Sequence, residues 1–110
     1  MENIENFKNQ VAILLNLFKA KKFENLIDKA LVLIKKFPQE VILYNITSLA
    51  YNAVDKGEEA KKLLFKIKKK QPQNISVLNN LGLACVQCGE NEEAEEYYNN
   101  ALKLKPDFLE

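Results

Sequence analysis

Histidine, arginine and tryptophan are absent from this 110-residue chain, and each absence removes a class of chemistry. Without histidine there is neither the side chain that most readily moves protons near neutral pH nor the commonest metal-binding imidazole. Without arginine there is no planar fork to clasp a phosphate or read a base edge. Glycine is limited to three scattered residues, so no loop can cradle phosphates. The two cysteines, Cys85 and Cys88, supply two thiolates where structural zinc needs four ligands. Both fall in the second half of an amphipathic block, away from the helix N-terminus that activates a redox thiol, and read as a buried packing residue and a partly covered thiol. No apolar run approaches the roughly 18 residues that span a bilayer, and the opening MENIENFKNQ is unlike a basic-then-apolar secretion signal. With 16 lysines against 15 acidic residues the net charge is +1, so no global field recruits nucleic acid or an anionic membrane. The expectation is a cytoplasmic chain with no enzymatic activity, cofactor or bound metal, and with neither nucleic acid nor membrane as a partner.

What the sequence does contain is a period. Pro38, Pro72 and Pro106 are spaced by 34 residues twice, each after a lysine-rich amphipathic stretch, and a fixed period of this length implies stacked units. One domain of 12.6 kDa, 47% hydrophobic, divides into windows at about 7–40, 41–74 and 75–108. Within each window the apolar residues recur every three or four positions in two blocks, at about 4–20 and 23–36, 41–54 and 58–70, 75–88 and 91–104. That spacing predicts helices, and sustained period-two alternation is missing. Six helices in three hairpins make an all-α fold. Each proline is expected to end a helix by pushing Phe37, Gln71 or Lys105 toward extended backbone. Gly57 and Gly89 are read as the permissive turn positions. Ser48, Ala50, Ala60, Gly82, Ala84, Ala94 and Ala101 would let paired helices approach.

The last window, SVLNNLGLACVQCGENEEAEEYYNNALKLKPD, resembles a tetratricopeptide repeat. The resemblance rests on Leu78, Leu81-Gly82, Gly89, Ala94, Tyr98, Ala101 and Pro106, with Cys85 where an aromatic is usual. The middle window carries Tyr44, Ser48, Tyr51, Ala60, Leu64 and Pro72 in the equivalent places, with Ile67 replacing the second alanine. The first is divergent: it keeps Ile13, Leu17, Ala30 and Pro38, but Leu14 and Leu26 stand at positions where small residues are found elsewhere. The resemblance implies a right-handed α-α superhelix whose concave face, lined by the first helix of each hairpin, binds a peptide or a segment of a partner protein.

On that face the equivalent positions form columns: Leu15, Leu49 and Leu83; Phe18, Asn52 and Val86; Val11, Asn45 and Asn79; and, one turn earlier, Lys8, Ile42 and Ser76. The candidate partner-binding residues are Val11, Leu15, Phe18, Ile42, Asn45, Leu49, Asn52, Asn79, Leu83 and Val86. Amides can donate and accept toward peptide backbone, and the aliphatic neighbours supply desolvation. Members of the family that clamp a C-terminal carboxylate do so with lysines and asparagines. The comparable places here hold Val11, Leu15, Ile46, Ser76 and Asn80, so the basic half of a clamp is missing. The run Lys61, Lys62, Lys66, Lys68, Lys69, Lys70 reads as a solvated convex surface, and Glu90, Glu92, Glu93, Glu95 and Glu96 as exposed residues at a helix start. A second role to weigh is structural: self-association, or stacking within a larger multi-repeat protein, a homodimer forming through an uncapped C-terminal end where Val77, Leu81, Ala84 and Tyr97 would be exposed and residues 107–110 would begin a further helix.

Overall fold

The structure, a computed structural model, describes residues 2–105. The last proline, Pro106, and the expected start of a further helix at 107–110 lie outside the described residues. Six α-helices follow one another: α1 (Glu2–Lys19), α2 (Phe23–Lys36), α3 (Val41–Ala53), α4 (Gly57–Lys70), α5 (Ile75–Gln87) and α6 (Asn91–Leu104). There is no strand among the described residues, and no described helix is long and apolar enough to cross a membrane.

The helix ends follow from local chemistry. Phe37, Gln71 and Lys105 cap α2, α4 and α6 with φ of −129, −135 and −142° and ψ of 66, 71 and 65°, outside the helical region that a following proline disfavours, though short of the fully extended backbone expected. Asn74 caps α5 by accepting the Val77 N–H at 3.2 Å, which meets one of the four free donors of a helix start. Inside each hairpin the turn is made by one residue with left-handed backbone: Lys21 (φ 59°), Asp55 (φ 66°) and Gly89 (φ 78°), again 34 residues apart. The expectation for Gly89 holds. For Gly57 it does not, because Gly57 is the buried first residue of α4. A Cβ there would lie 2.7 Å from Cys88 Sγ and 3.2 Å from the Ala84 carbonyl oxygen, so its role is close approach of α4 to α5, and Asp55 takes the turn.

Two apolar clusters run through the stack. One joins Leu14, Leu26, Ile27, Ala30 and Leu33 of the first hairpin to Leu43, Ile46 and Ala50 of α3. The other joins Tyr44, Leu63, Leu64 and Ile67 to Val77 and Leu81 of α5. Each fully buried leucine contributes about 1.5–3 kcal/mol by removal from water. Buried Thr47 and Ser48 turn their hydroxyls back to the carbonyls of Leu43 and Asn45, so neither is left without a partner.

Small and large residues trade places across the hairpins. In the third, Gly82 lies under the ring of Tyr98 so closely that an added Cβ would be 2.6 Å from Cε1. The same two repeat positions hold Ser48 and Leu64 in the second hairpin and Leu14 and Ala30 in the first, all four without exposed surface. The divergence of the first window is thus a reversal of which helix supplies the bulk, at the density that protein interiors require.

Val77, Leu81 and Ala84 have no exposed surface, which corrects the expectation that they form an open end. The reason is direction: this face of α5 turns back onto α4 and covers Leu63, Leu64 and Ile67. Tyr97 alone of the four is half-buried.

Candidate functional site

The pattern of helix contacts fixes which side of the stack is concave. Each second helix touches the first helix that follows it, α2 against α3 and α4 against α5. The first helices also come close to one another, α1 with α3 and α3 with α5, whereas the backbones of α2 and α4, and of α4 and α6, do not approach as near among the described residues. Helices that converge on one side and diverge on the other give a curved stack, with α1, α3 and α5 on its inner side.

Along those three helices the expected columns separate into exposed and structural members. Leu15, Ile42, Leu83 and Val86 are 44, 41, 39 and 48% exposed, and Asn79 is exposed as well. Leu49, Asn45 and Asn52 are half-buried. Val11 and Phe18 pack against the first apolar cluster, and the Phe18 ring meets Phe23 edge-on at 5.3 Å, so both also serve the first hairpin's core. Neither α3 (VILYNITSLAYNA) nor α5 (ISVLNNLGLACVQ) has a charged residue. The inner side of the second and third hairpins is therefore neutral, aliphatic and amide-bearing.

Asn45 has a role the sequence did not disclose. Its Nδ2 donates to Ser76 Oγ at 3.0 Å, and Ser76 Oγ donates to Asn74 Oδ1 at 2.7 Å, which ties α3 to the cap of α5. Asn45 Oδ1 and both amide atoms of Asn52 are buried without a hydrogen-bond partner among the described residues. Leaving such an atom unmet costs about 1–3 kcal/mol.

The outer side is not uniformly solvated. Lys62, Lys66, Lys69 and Lys70 are exposed as expected, but Lys68 reaches over the Tyr97 ring at 5.9 Å and Lys61 is enclosed. The Lys61 side chain is 14% exposed, donating to Glu90 and lying 3.3 Å from Glu58. The hydrogen bond to Glu90 pushes its pKa up, against the opposing effect of burial. Glu90 is accordingly part of an ion pair and not a free helix-start charge. The period alone did not disclose this, because the same repeat position holds Ile27, 7% exposed, in the first hairpin and exposed Glu95 in the third.

Cys88 adjoins this group. Ligand atoms of Glu58, Cys88 and Glu90 lie within 4.8 Å of one another, but the Lys61 ammonium already provides the positive charge between the carboxylates. Burial raises the pKa of Cys85, and burial with a hydrogen bond to Glu58 raises that of Cys88. Both thiols are held protonated, the opposite of activation. A wider cleft of about 530 Å³ opens on the outer side, where Glu24, Asp28 and Glu59 surround Tyr51 over Ile27 and Leu31.

Residues 75–108 match the sequence model of the tetratricopeptide repeat. No curated protein matches by sequence at a comparable level. Among solved structures, the first tetratricopeptide domain of human RPAP3 is 21% identical with a TM-score of 0.82, over 88% of this chain and 76% of that one. The second such domain of Spaghetti (RPAP3), bound to the HSP90 peptide SRMEEVD, is 21% identical with a TM-score of 0.80, over 96% of this chain and 100% of that one. MamA MSR-1 is 25% identical with a TM-score of 0.69, and the match covers 88% of this chain and 56% of MamA.

Proposed function

We propose, because this chain belongs to the tetratricopeptide-repeat family, that it is a non-enzymatic protein-interaction module whose concave side takes an uncharged, aliphatic segment of a partner protein. The observation that carries the reading is the neutrality of two of the three helices that line that side, α3 and α5, combined with exposed Ile42, Leu83 and Val86. Burying such side chains against a partner yields about 25 cal/mol per Å² of apolar area. The amides of Asn45 and Asn52, with unmet atoms, gain from a ligand backbone that offers both N–H and C=O, since a side-chain turn toward the groove exchanges an unsatisfied atom for a paired one.

The reading separates this chain from the RPAP3 domain that holds the acidic peptide SRMEEVD. Carboxylates need cations, and between Val41 and Ala53 and between Ile75 and Gln87 there are none. The test is selection from a displayed library of extended peptides, with SRMEEVD measured in parallel. Selected sequences are expected to be aliphatic and uncharged, and Leu83→Glu or Ile42→Glu is expected to weaken them at least about tenfold, while Lys62→Glu with Lys66→Glu and Lys69→Glu has little effect. Tight binding of SRMEEVD, or loss of binding only in the lysine variants, would overturn the groove assignment. Asn52→Ala is the cleaner amide probe, because Asn45→Ala also cuts the tie to Ser76.

A further inference from the structure

The helices α2 and α4 diverge on the outer side of the stack, and between them lies the cleft of about 530 Å³ floored by Ile27, Leu31 and Tyr51. It sits between the first and second hairpins, away from both ends of the stack. Three carboxylates line it, from Glu24 and Asp28 of α2 and Glu59 of α4, against one ammonium, that of Lys56. All four charged side chains are exposed, and none of them is in an ion pair among the described residues. Burial raises the pKa of the Tyr51 phenol, and the charges of Glu59 and Asp28 raise it further, so the field of both helices converges on the ring.

One period further on, the fold displays an occupant for such a cleft. Moving Glu24, Ile27, Tyr51 and Lys56 forward by 34 residues gives Glu58, Lys61, Cys85 and Glu90. There the Lys61 side chain, 14% exposed, donates to Glu90 at the N-cap of α6 and lies 3.3 Å from Glu58. The space between α4 and α6 is thus filled by an ammonium that the chain itself supplies. Between α2 and α4, isoleucine stands in the lysine's place, 7% exposed, and both the long stem and the charge are missing. The carboxylates are not. Glu24 keeps the position of Glu58 and Glu59 that of Glu93, while Asp28, in place of Lys62, restores the negative charge lost where Lys56 replaces Glu90.

We infer that the cleft between α2 and α4 receives a lysine side chain from a partner polypeptide, its stem on Ile27, Leu31 and Tyr51 and its ammonium among Glu24, Asp28 and Glu59. A lysine is divided as the cleft is, apolar along its stem and charged at its tip, and an ammonium beside the Tyr51 ring gains from the ring's negative face. The occupant approaches from the outer side, so the inner groove stays free, and the assignment stands whether or not that groove takes an aliphatic segment.

The test is a backbone amide NMR titration of the full chain with the acetylated and amidated peptide Gly-Ser-Lys-Ser-Gly, against the same peptide with norleucine for lysine. Shifts are expected at Asp28, Leu31, Tyr51 and Glu59 with the lysine peptide alone, and they weaken as ionic strength rises from about 0.02 to about 0.3 M. Asp28→Asn with Glu59→Gln is expected to lower the affinity at least about threefold, and Lys56→Gln to raise it about twofold. Both changes fall on exposed side chains, so folding is not at stake. Ile27→Lys writes the ammonium of the second cleft into the first and is expected to abolish binding, with circular dichroism reporting the fold. Equal shifts with the norleucine peptide, shifts centred on Glu92, Glu95 and Glu96 of α6, or an affinity that Asp28→Asn with Glu59→Gln leaves unchanged would overturn the assignment. So would shifts confined to Ile42, Leu83 and Val86, which would give the lysine to the groove.

Discussion

Gly82→Ser tests whether the reciprocal packing of the hairpins is energetic or incidental. The new Cβ would lie 2.6, 2.8 and 2.9 Å from Cε1, Cζ and Cδ1 of Tyr98. To reach 3.4 Å, where ordinary contact begins, the ring must retreat by about 0.8 Å or α6 must move. Overpacking of this kind costs about 1–3 kcal/mol, offset by about 0.5 kcal/mol because serine is the better helix former. The net expectation is a loss of about 0.5–2.5 kcal/mol, and at about 4 °C per kcal/mol for a domain of this size the Tm falls by roughly 2–10 °C. Tyr98→Leu alone removes ring atoms and opens space over Gly82, and is expected to cost about 1–2 kcal/mol. The double variant copies the Ser48 and Leu64 pair, both buried in the second hairpin, so its loss is expected to be smaller than the sum of the singles by about 1 kcal/mol. Urea denaturation followed by circular dichroism supplies the four free energies. Additivity within about 0.3–0.5 kcal/mol, or a Gly82→Ser variant as stable as the parent, would refute the size-matching argument.

Three further outcomes follow from separate parts of the structure. Lys21, at φ 59°, bears the left-handed backbone that glycine tolerates, so Lys21→Gly is expected to raise stability by about 0.5–1 kcal/mol and Gly89→Ala to lower it by about 1 kcal/mol; thermal melts with the opposite order would sink the assignment of the turns. Because the folded pKa of Lys61 is raised above its ordinary 10.5, its contribution is fully present below that value and is lost as pH rises through the folded pKa. The stability gap between the parent and Lys61→Met is therefore expected to stay flat from pH 6 to about 10 and to shrink only in stronger alkali, and a gap that closes near neutrality would contradict the ion-pair geometry. Cys85 is 2% exposed and both thiols are raised in pKa, chiefly by burial, so iodoacetamide at neutral pH is expected to label Cys88 slowly and Cys85 only in denaturant; rapid labelling of Cys85 in the folded chain, followed by mass spectrometry, would disprove its burial.

Sequence alone determined the elements and their order. Helix-type periodicity, prolines at 38, 72 and 106 and the 34-residue interval are local properties: apolar residues at i, i+3 and i+4 make one face, and a proline fixes where it stops. The expected blocks at 23–36 and 91–104 coincide with α2 and α6; α3, α4 and α5 differ by one residue at one end, and α1 starts two residues and ends one residue earlier than expected. The neutrality of the groove helices was legible for the same reason, since a column of equivalent residues can be read once the period is known. Tertiary structure decided everything that depends on two elements meeting. It put Asp55 and not Gly57 at the left-handed position, because α5 comes so near α4 that only a residue without Cβ fits at 57. It turned Val77 and Leu81 backward onto α4, gave Asn45 a bond to Ser76 and enclosed Lys61 between acids from two different hairpins. A one-dimensional pattern specifies which face of a helix is apolar, but the partner of each side chain is set by which surface approaches it, and that is a property of the packed stack alone.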